Sequence, residues 1–167
     1  RALQKPSQHV YLVGGAIRDL LLQRSIHDLD FVVNHNPIDL ARRLADRLAG
    51  DFFVLDHERQ TARVIHKLPG KQPVTIDFAL LRGKTLEDDL TGRDFTLNAI
   101  AMDIESPSVY LDPLHGNVAI RQKMISASSK NTFNDDPLRI LRMVRIALET
   151  GFSVENETKI LAKSSLD

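Results

Sequence analysis

Two aspartates one residue apart, Asp28 and Asp30, follow the run Gly14-Gly15-Ala16-Ile17-Arg18-Asp19. Residues i and i+2 of a strand point to the same face, so the two carboxylates project together. Side-by-side carboxylates repel unless a cation separates them. Mg²⁺ is typically held by one or two carboxylates plus substrate phosphates. Gly14 and Gly15 carry no Cβ and allow a ligand close to the backbone. The helix expected after them would present an anion-favouring N-terminus, with Arg18 in its first turn. Metal on one side and phosphate on the other is the equipment of phosphoryl transfer.

Three further groups extend this reading. Asp77 lies in Val74-Thr-Ile-Asp-Phe-Ala-Leu-Leu, where Val74, Ile76, Phe78 and Leu80 take one face and Asp77 the other. A neighbouring strand could set it beside Asp28 and Asp30 as a third metal ligand or general base. Arg93 and Asp94 open Arg-Asp-Phe-Thr-Leu-Asn-Ala, where Asp94 could equally cap a turn. Arg139, Arg142 and Arg145 advance three residues at a time and span about 120° of helix surface, a stripe able to clamp a triphosphate. Leu141, Val144 and Leu148 on the adjoining stripe are expected to pack on the core. The bland alternative is a solvated arginine face, with Asp136 a plain cap before Pro137. Arg82 is a weaker triphosphate candidate, Arg59 and Arg63 could meet RNA phosphates from a hairpin, and the six histidines show no metal-ligand spacing.

The elements that must position these groups follow from periodicity. Val10–Val13 and Leu29–Val33 read as strands, with a helix carrying Ala16, Ile17, Leu20 and Leu21 between them. Asn36-Pro37 opens a helix with Leu40, Leu44 and Leu48 on one face, ending at Gly50. Phe52–Leu55, Thr61–Lys67 and Val74–Leu81 read as strands, the last two joined by a turn over Leu68–Lys71. Glu87–Leu90 reads as a short helix, Ala99–Asp103 as a strand, and Ser106–Gly116 as loops. Two helical patterns follow Asp135, separated by Gly151-Phe152.

The chain has 167 residues, formal net charge +0 and no cysteine. Neutral balance leaves any RNA contact to a local patch. The absence of cysteine excludes thiolate zinc sites and disulfides. No apolar run approaches the ~18 residues of a membrane helix, and Arg1–Gln8 lack the apolar stretch of a signal peptide. A cytoplasmic location is the expectation.

Three motifs in register, Gly14-Gly-Ala-Ile-Arg-Asp with Asp28-Leu-Asp, Arg93-Asp-Phe-Thr-Leu-Asn-Ala, and Asp136-Pro-Leu-Arg-Ile-Leu-Arg-Met-Val-Arg, carry a resemblance. The chain resembles class II tRNA nucleotidyltransferases and bacterial poly(A) polymerases, within the DNA polymerase β-like superfamily. The resemblance implies an α+β fold: a head with a mixed sheet of about five strands flanked by helices, then the first helices of an α-helical neck. The expected division is residues 1–130 for the head and 131–167 for the start of the neck, with a soft boundary near 128–134. It further implies an enzyme that adds nucleotides from ATP or CTP to the 3′ end of tRNA, as CCA, CC or A, without a template. A poly(A) polymerase, or an NTP- and RNA-binding fragment lacking the base-selecting neck, are the alternatives.

Carried over by position, Asp28 and Asp30 would ligate two Mg²⁺ ions, with Asp77 the third catalytic carboxylate. Gly15 and Arg18 would hold the triphosphate, Arg93 and Asp94 would act near ribose and phosphates, and Asn98 would support that loop. Asp136, Arg139, Arg142 and Arg145 would approach the nucleotide from the head–neck junction. Gly92 stands where the family usually has arginine, and Asp112-Pro-Leu-His-Gly where it has Asp-Pro-aromatic-Gly-Gly. The family's base-pairing Glu-Asp-x-x-Arg motif does not occur in these 167 residues, and a piece of a longer protein is the expectation.

Overall fold

The apolar run Val10–Val13 (β1) forms a strand and stops where Gly14 turns at φ +73°. Helix α1 (Gly15–Leu21) leaves from that turn, burying Ala16 and Ile17, whereas Leu20 and Leu21 face outward. The structure, a computed structural model, describes residues 8–166; the reading of Arg1–Ser7 and the terminal Asp167 lie outside the described residues.

The next elements are β2 (Asp28–Val33), α2 (Pro37–Leu48), β3 (Asp51–Asp56), β4 (Thr61–His66) and β5 (Val74–Leu80). Gly70 at φ +70° closes the β4–β5 hairpin, with the Lys71 N–H donating to the Leu68 carbonyl at 3.1 Å. Asn36 stands at the N-cap position of α2 but is itself left-handed, and its side chain makes no cap bond; Pro37 fixes the first turn instead. Helix α3 (Leu86–Thr91) has the capping box that Asn36 lacks: Thr85 and Asp88 exchange side-chain and backbone bonds.

Strands β6 (Ala101–Asp103) and β7 (Tyr110–Leu111) complete a seven-stranded mixed sheet in the order β3-β4-β5-β2-β1-β6-β7. Within this sheet β2 and β5 run parallel and the other pairs are antiparallel. The two-residue β7 falls in the stretch expected to be loop.

The sheet's two faces differ. One packs Leu40, Ala41 and Ala45 of α2 against Val33, Ala62, Val64, Ile76 and Phe78. On that face Phe31 stacks on Phe78 at 5.3 Å. The other face is covered around Val13, Val32 and Ala101, where Leu90 of α3 and Ala99 pack. Toward β5 and β4 it becomes polar and open, and the carboxylates stand at that rim.

Helix α4 (Gly116–Arg121) and β8 (Met124–Ile125) had no signal in the sequence reading. The backbone turns left-handed at His115 (φ 55°), and the two Asp112 carboxylate oxygens accept from the N–H groups of Gly116 (2.6 Å) and Asn117 (2.9 Å). Gly116 is required sterically, because a Cβ there would overlap the Thr96 carbonyl.

The C-terminal stretch holds α5 (Thr132–Asp135), α6 (Arg139–Thr150), β9 (Ser153–Val154) and α7 (Asn156–Ser164). Strand β9 pairs in parallel with β8. Phe133, Met143, Ile146, Phe152 and Ala162 join Leu12, Ile17, Phe95 and Ile125 in one apolar core. The expected core stripe on α6 is wrong. Leu141 is 68% and Leu148 81% exposed, and Val144 is half exposed. Met143 and Ile146 are buried instead, with Ile140 and Ala147 packed beside them. The helix is apolar on two sides, so periodicity alone cannot say which side meets the core.

Candidate active site

Register brings the three aspartates onto one edge of the open face. Asp30 pairs with Asp77 across the parallel β2–β5 ladder, and Asp28 pairs with Thr75 one row away. Direct partners share a face, so Asp28, Asp30 and Asp77 line one cleft of about 360 Å³ with Leu29, Arg63 and Thr75. Burial, then the neighbouring Asp77 charge, holds the Asp30 carboxyl above the usual carboxylate range; Arg93 and Arg142 pull it down and Asp28 pushes it up.

Asp77 already has a partner. Arg63 Nε donates to Asp77 Oδ1 and Nη2 to Oδ2, both at 2.8 Å. The bond to Asp77 is also the main reason the Arg63 guanidinium is held above its ordinary pKa. Arg63 therefore lies in β4, within the strand expected over Thr61–Lys67, directly opposite Asp77. Among the described residues no three acidic or histidine side chains converge as a ready metal cage, in keeping with Asp77 turned to Arg63. Two oxygen-only carboxylates of like charge on one face of β2 do suit a hard cation completed by substrate phosphates.

A second cleft of about 320 Å³ adjoins Asp28 and Asp30 and is lined by Gly15, Arg18, Asn98, Arg142, Arg145 and Glu149 among others. The Arg18 guanidinium is fixed on two sides. Nε and Nη2 donate to the Asp19 carboxylate at 2.9 and 3.0 Å, and Nη1 donates to Asn98 Oδ1 at 3.1 Å. Asn98 Nδ2 donates in turn to Asp94 Oδ1 at 3.1 Å. Asp94, only 6% exposed, also accepts from the Phe95 N–H at 2.8 Å and from Arg142 Nε at 2.9 Å. One hydrogen-bonded chain thus runs Arg18–Asn98–Asp94–Arg142 through all three sequence motifs.

The remaining candidates are dispersed. Arg93 donates through Nε and Nη2 to Asp89 Oδ2 at 3.1 and 2.8 Å, and its Nη1 lies 3.3 Å from where a Cβ on Gly14 would stand. That position is behind the glycine turn, beside Asp30. The buried Asp89, which sequence reading missed, also accepts from the Arg82 N–H at 3.0 Å; its i,i+4 spacing to Arg93 was the available signal. Asp136 accepts from the Leu138 N–H at 3.0 Å, as the plain cap would. Arg139 donates to the carbonyls of Thr132 (3.2 Å) and Gly92 (2.9 Å). Asp136, Arg139 and Arg82 share a separate cleft of about 280 Å³ with Arg93, Asp94 and Arg142. The arginine stripe is therefore divided: Arg142 borders both clefts, Arg139 only the one and Arg145 only the other. Arg145 is exposed and sits 3.6 Å from Glu149.

The site thus combines paired carboxylates on a mixed sheet with a glycine turn and fixed guanidinium groups. Residues 10–126 match the poly A polymerase head domain family. The chain is 44% identical over 151 residues to a CC-adding tRNA nucleotidyltransferase of Geobacter sulfurreducens, covering 90% of this chain and 34% of that one. It is 38% identical over 165 residues to the multifunctional CCA protein of Legionella pneumophila, covering 93% and 39%. A solved tRNA-processing enzyme with CTP superposes at TM-score 0.81 with 34% identity, covering 95% of this chain and 43% of that one. A tRNA nucleotidyltransferase complexed with a primer tRNA and an incoming ATP analog gives 0.80 and 33%, covering 95% and 47%.

The chain belongs to the poly A polymerase head domain family. It spans less than half the length of these relatives.

Proposed function

We propose that this chain is the catalytic head of an enzyme that transfers nucleotides from CTP or ATP to the 3′ end of tRNA. The observation that carries this reading is the Asp30–Asp77 register with Asp28 beside it, facing clefts that also hold Gly15, Arg18 and Arg142. Asp28 and Asp30 would hold Mg²⁺, with Asp77 next to them. Bound there, Mg²⁺ would neutralise triphosphate charge and lower the pKa of the attacking 3′-hydroxyl.

The chain's own residues supply position. Arg18, fixed by Asp19 and Asn98, and Arg142, fixed by Asp94, would hold the triphosphate; Gly15 allows its approach. Arg93 sits behind Gly14 and Asp30 and tempers the carboxylate charge. Such positioning and electrostatics supply most of the catalysis in phosphoryl transfer. Asp136 and Arg139 would serve the nucleotide from the adjoining cleft. Residues 131–167 would begin a helical neck on the 1–130 head; the family match, which ends at Ser126, supports a division near there. A cytoplasmic location accords with a tRNA substrate; among the described residues no helix is long and apolar enough to cross a membrane.

The test offers radiolabelled CTP and ATP separately to tRNA transcripts lacking one, two or three 3′ nucleotides. Incorporation that disappears in Asp28→Asn and Asp30→Asn supports the reading. Incorporation that survives both substitutions sinks it. Long A tails on any RNA would point to poly(A) polymerase, and NTP binding without extension to a binding fragment.

A further inference from the structure

The open face of the sheet continues beyond the carboxylates. One cross-strand row runs Phe53 (β3), Arg63 (β4), Asp77 (β5) and Asp30 (β2), each the register partner of the next. Direct partners share a face, so all four side chains stand on the same side. With strands about 4.8 Å apart, Phe53 lies on the order of 10 Å from Asp77 and 14 Å from Asp30.

The other side of β3 is occupied: Phe52 packs toward α2, with the Arg42 guanidinium 4.4 Å from its ring centre. Phe53 is 47% exposed, and Leu55, at the register shift where β3 breaks its pairing with β4, is 51% exposed. An exposed aromatic and an aliphatic residue on an edge strand are a liability unless a partner covers them. Between them and the carboxylates stands Arg63, whose fork on Asp77 leaves three of its five N–H groups.

We propose that this row is the track on which the single-stranded 3′ end of the acceptor RNA enters the site. A base just upstream of the terminus stacks on Phe53, Arg63 takes the intervening phosphate, and the terminal hydroxyl reaches the carboxylates. The inference rests on the nucleotidyl-transfer reading and adds where the acceptor lies. Its chemistry fits a single strand: an aromatic face receives any base, and a guanidinium beside it receives a phosphate. A second copy of the chain or an apolar peptide would cover Phe53 and Leu55 but leave the Arg63 donors unused.

The test is a tRNA transcript lacking its last 3′ nucleotide, with 2-aminopurine next to its 3′ end, titrated with the chain. Wild type is expected to quench the fluorophore. Phe53→Ala should weaken binding by about fivefold to 100-fold, and Phe53→Trp should restore it. Arg63→Gln should make the salt dependence of binding shallower by about 0.7 in log–log slope, one phosphate's worth on a single strand. CTP binding should be the same in wild type and Phe53→Ala.

Equal RNA binding by wild type and Phe53→Ala, or no quench by wild type, overturns the track. So does self-association that disappears in Phe53→Ala, since the face would then be an interface between copies. Should Phe53→Ala change nothing while Asp30→Asn abolishes incorporation, the track falls and the transferase reading stands. Should incorporation survive Asp28→Asn and Asp30→Asn, the transferase reading falls first.

Discussion

Asp94 accepts a hydrogen bond from Arg142 Nε at 2.9 Å across 48 residues of sequence, and a second contact from Arg142 Nη2 at 2.9 Å completes a fork. The carboxylate is buried, whereas the guanidinium is half exposed and borders both clefts. Asp94 thus acts as the anchor and Arg142 as the group presented to ligand. Through Asn98 the same carboxylate steadies Arg18.

Removing that anchor strands several buried donors. Asp94→Ala is expected to destabilise the chain by about 1–3 kcal/mol, the cost of leaving the buried Phe95 N–H and Asn98 amide without their acceptor. Asp94→Asn, which keeps an acceptor, should lose less. Urea denaturation measures both. CTP affinity should fall in either variant, because Arg142 loses its fixed direction.

Asn98→Ala should cost about 1–3 kcal/mol, since the Arg18 and Asp94 partners are buried and lose their bridge. Asn98→Asp is a sharper probe. It can still accept from Arg18, but it places a second carboxylate against Asp94. Like charges at that distance should make it less stable than Asn98→Ala at neutral pH, and closer to it once acid protonates the pair. Thermal melts at pH 4 and pH 7 separate the two outcomes.

The Asp30 carboxyl titrates above its unfolded value because of burial and the Asp77 charge. In chelator, its contribution to stability is full below the unfolded carboxylate pKa and is lost as pH rises through the folded pKa. Asp30→Asn should therefore melt higher than wild type at neutral pH, with the difference shrinking toward acid. Added Mg²⁺ or Mn²⁺ should raise the melting temperature of wild type and leave Asp30→Asn unmoved. Equal responses of the two proteins would remove Asp30 from the metal site.

Two neighbouring positions on α6 should behave oppositely. Ile146→Ala opens the core shared with Phe95 and Phe133 and should cost about 2–5 kcal/mol. Leu148→Ser, on the exposed side, should stay within about 0.5 kcal/mol of wild type. Chemical denaturation of the pair checks which side of α6 faces the core.

Gly116→Ala should destabilise by about 1–3 kcal/mol or more, as its Cβ overlaps the Thr96 carbonyl. Gly70→Ala, also a glycine substitution, meets nothing within 4 Å and carries only the penalty of its positive φ, about 1–2 kcal/mol. Melting temperatures of the two variants give the comparison directly.

Local alternation made most strands legible. Val10–Val13, Thr61–His66 and Val74–Leu80 carry apolar residues in patterns that only an extended chain buries on one face. Helix α4 and strands β7, β8 and β9 were not legible, because short elements gain their stability from neighbours more than from their own residues. Asp112, for example, shapes the start of α4 through two backbone N–H groups that no periodicity announces.

The three motifs in order carried the family resemblance, and the sequence by itself also determined the chemistry on offer: aspartates at i and i+2 and a glycine turn leading into a helix. Those are properties of spacing along one strand or one helix, fixed by local geometry. Tertiary structure decided what each group does. Parallel pairing of β2 with β5 brought Asp77 level with Asp30, and antiparallel pairing of β4 with β5 placed Arg63 on Asp77. Packing of α6 chose Asp94 for Arg142 and two backbone carbonyls for Arg139. Hydrogen-bond partners separated by tens of residues depend on register and on which helix face is buried, and only the folded chain sets both.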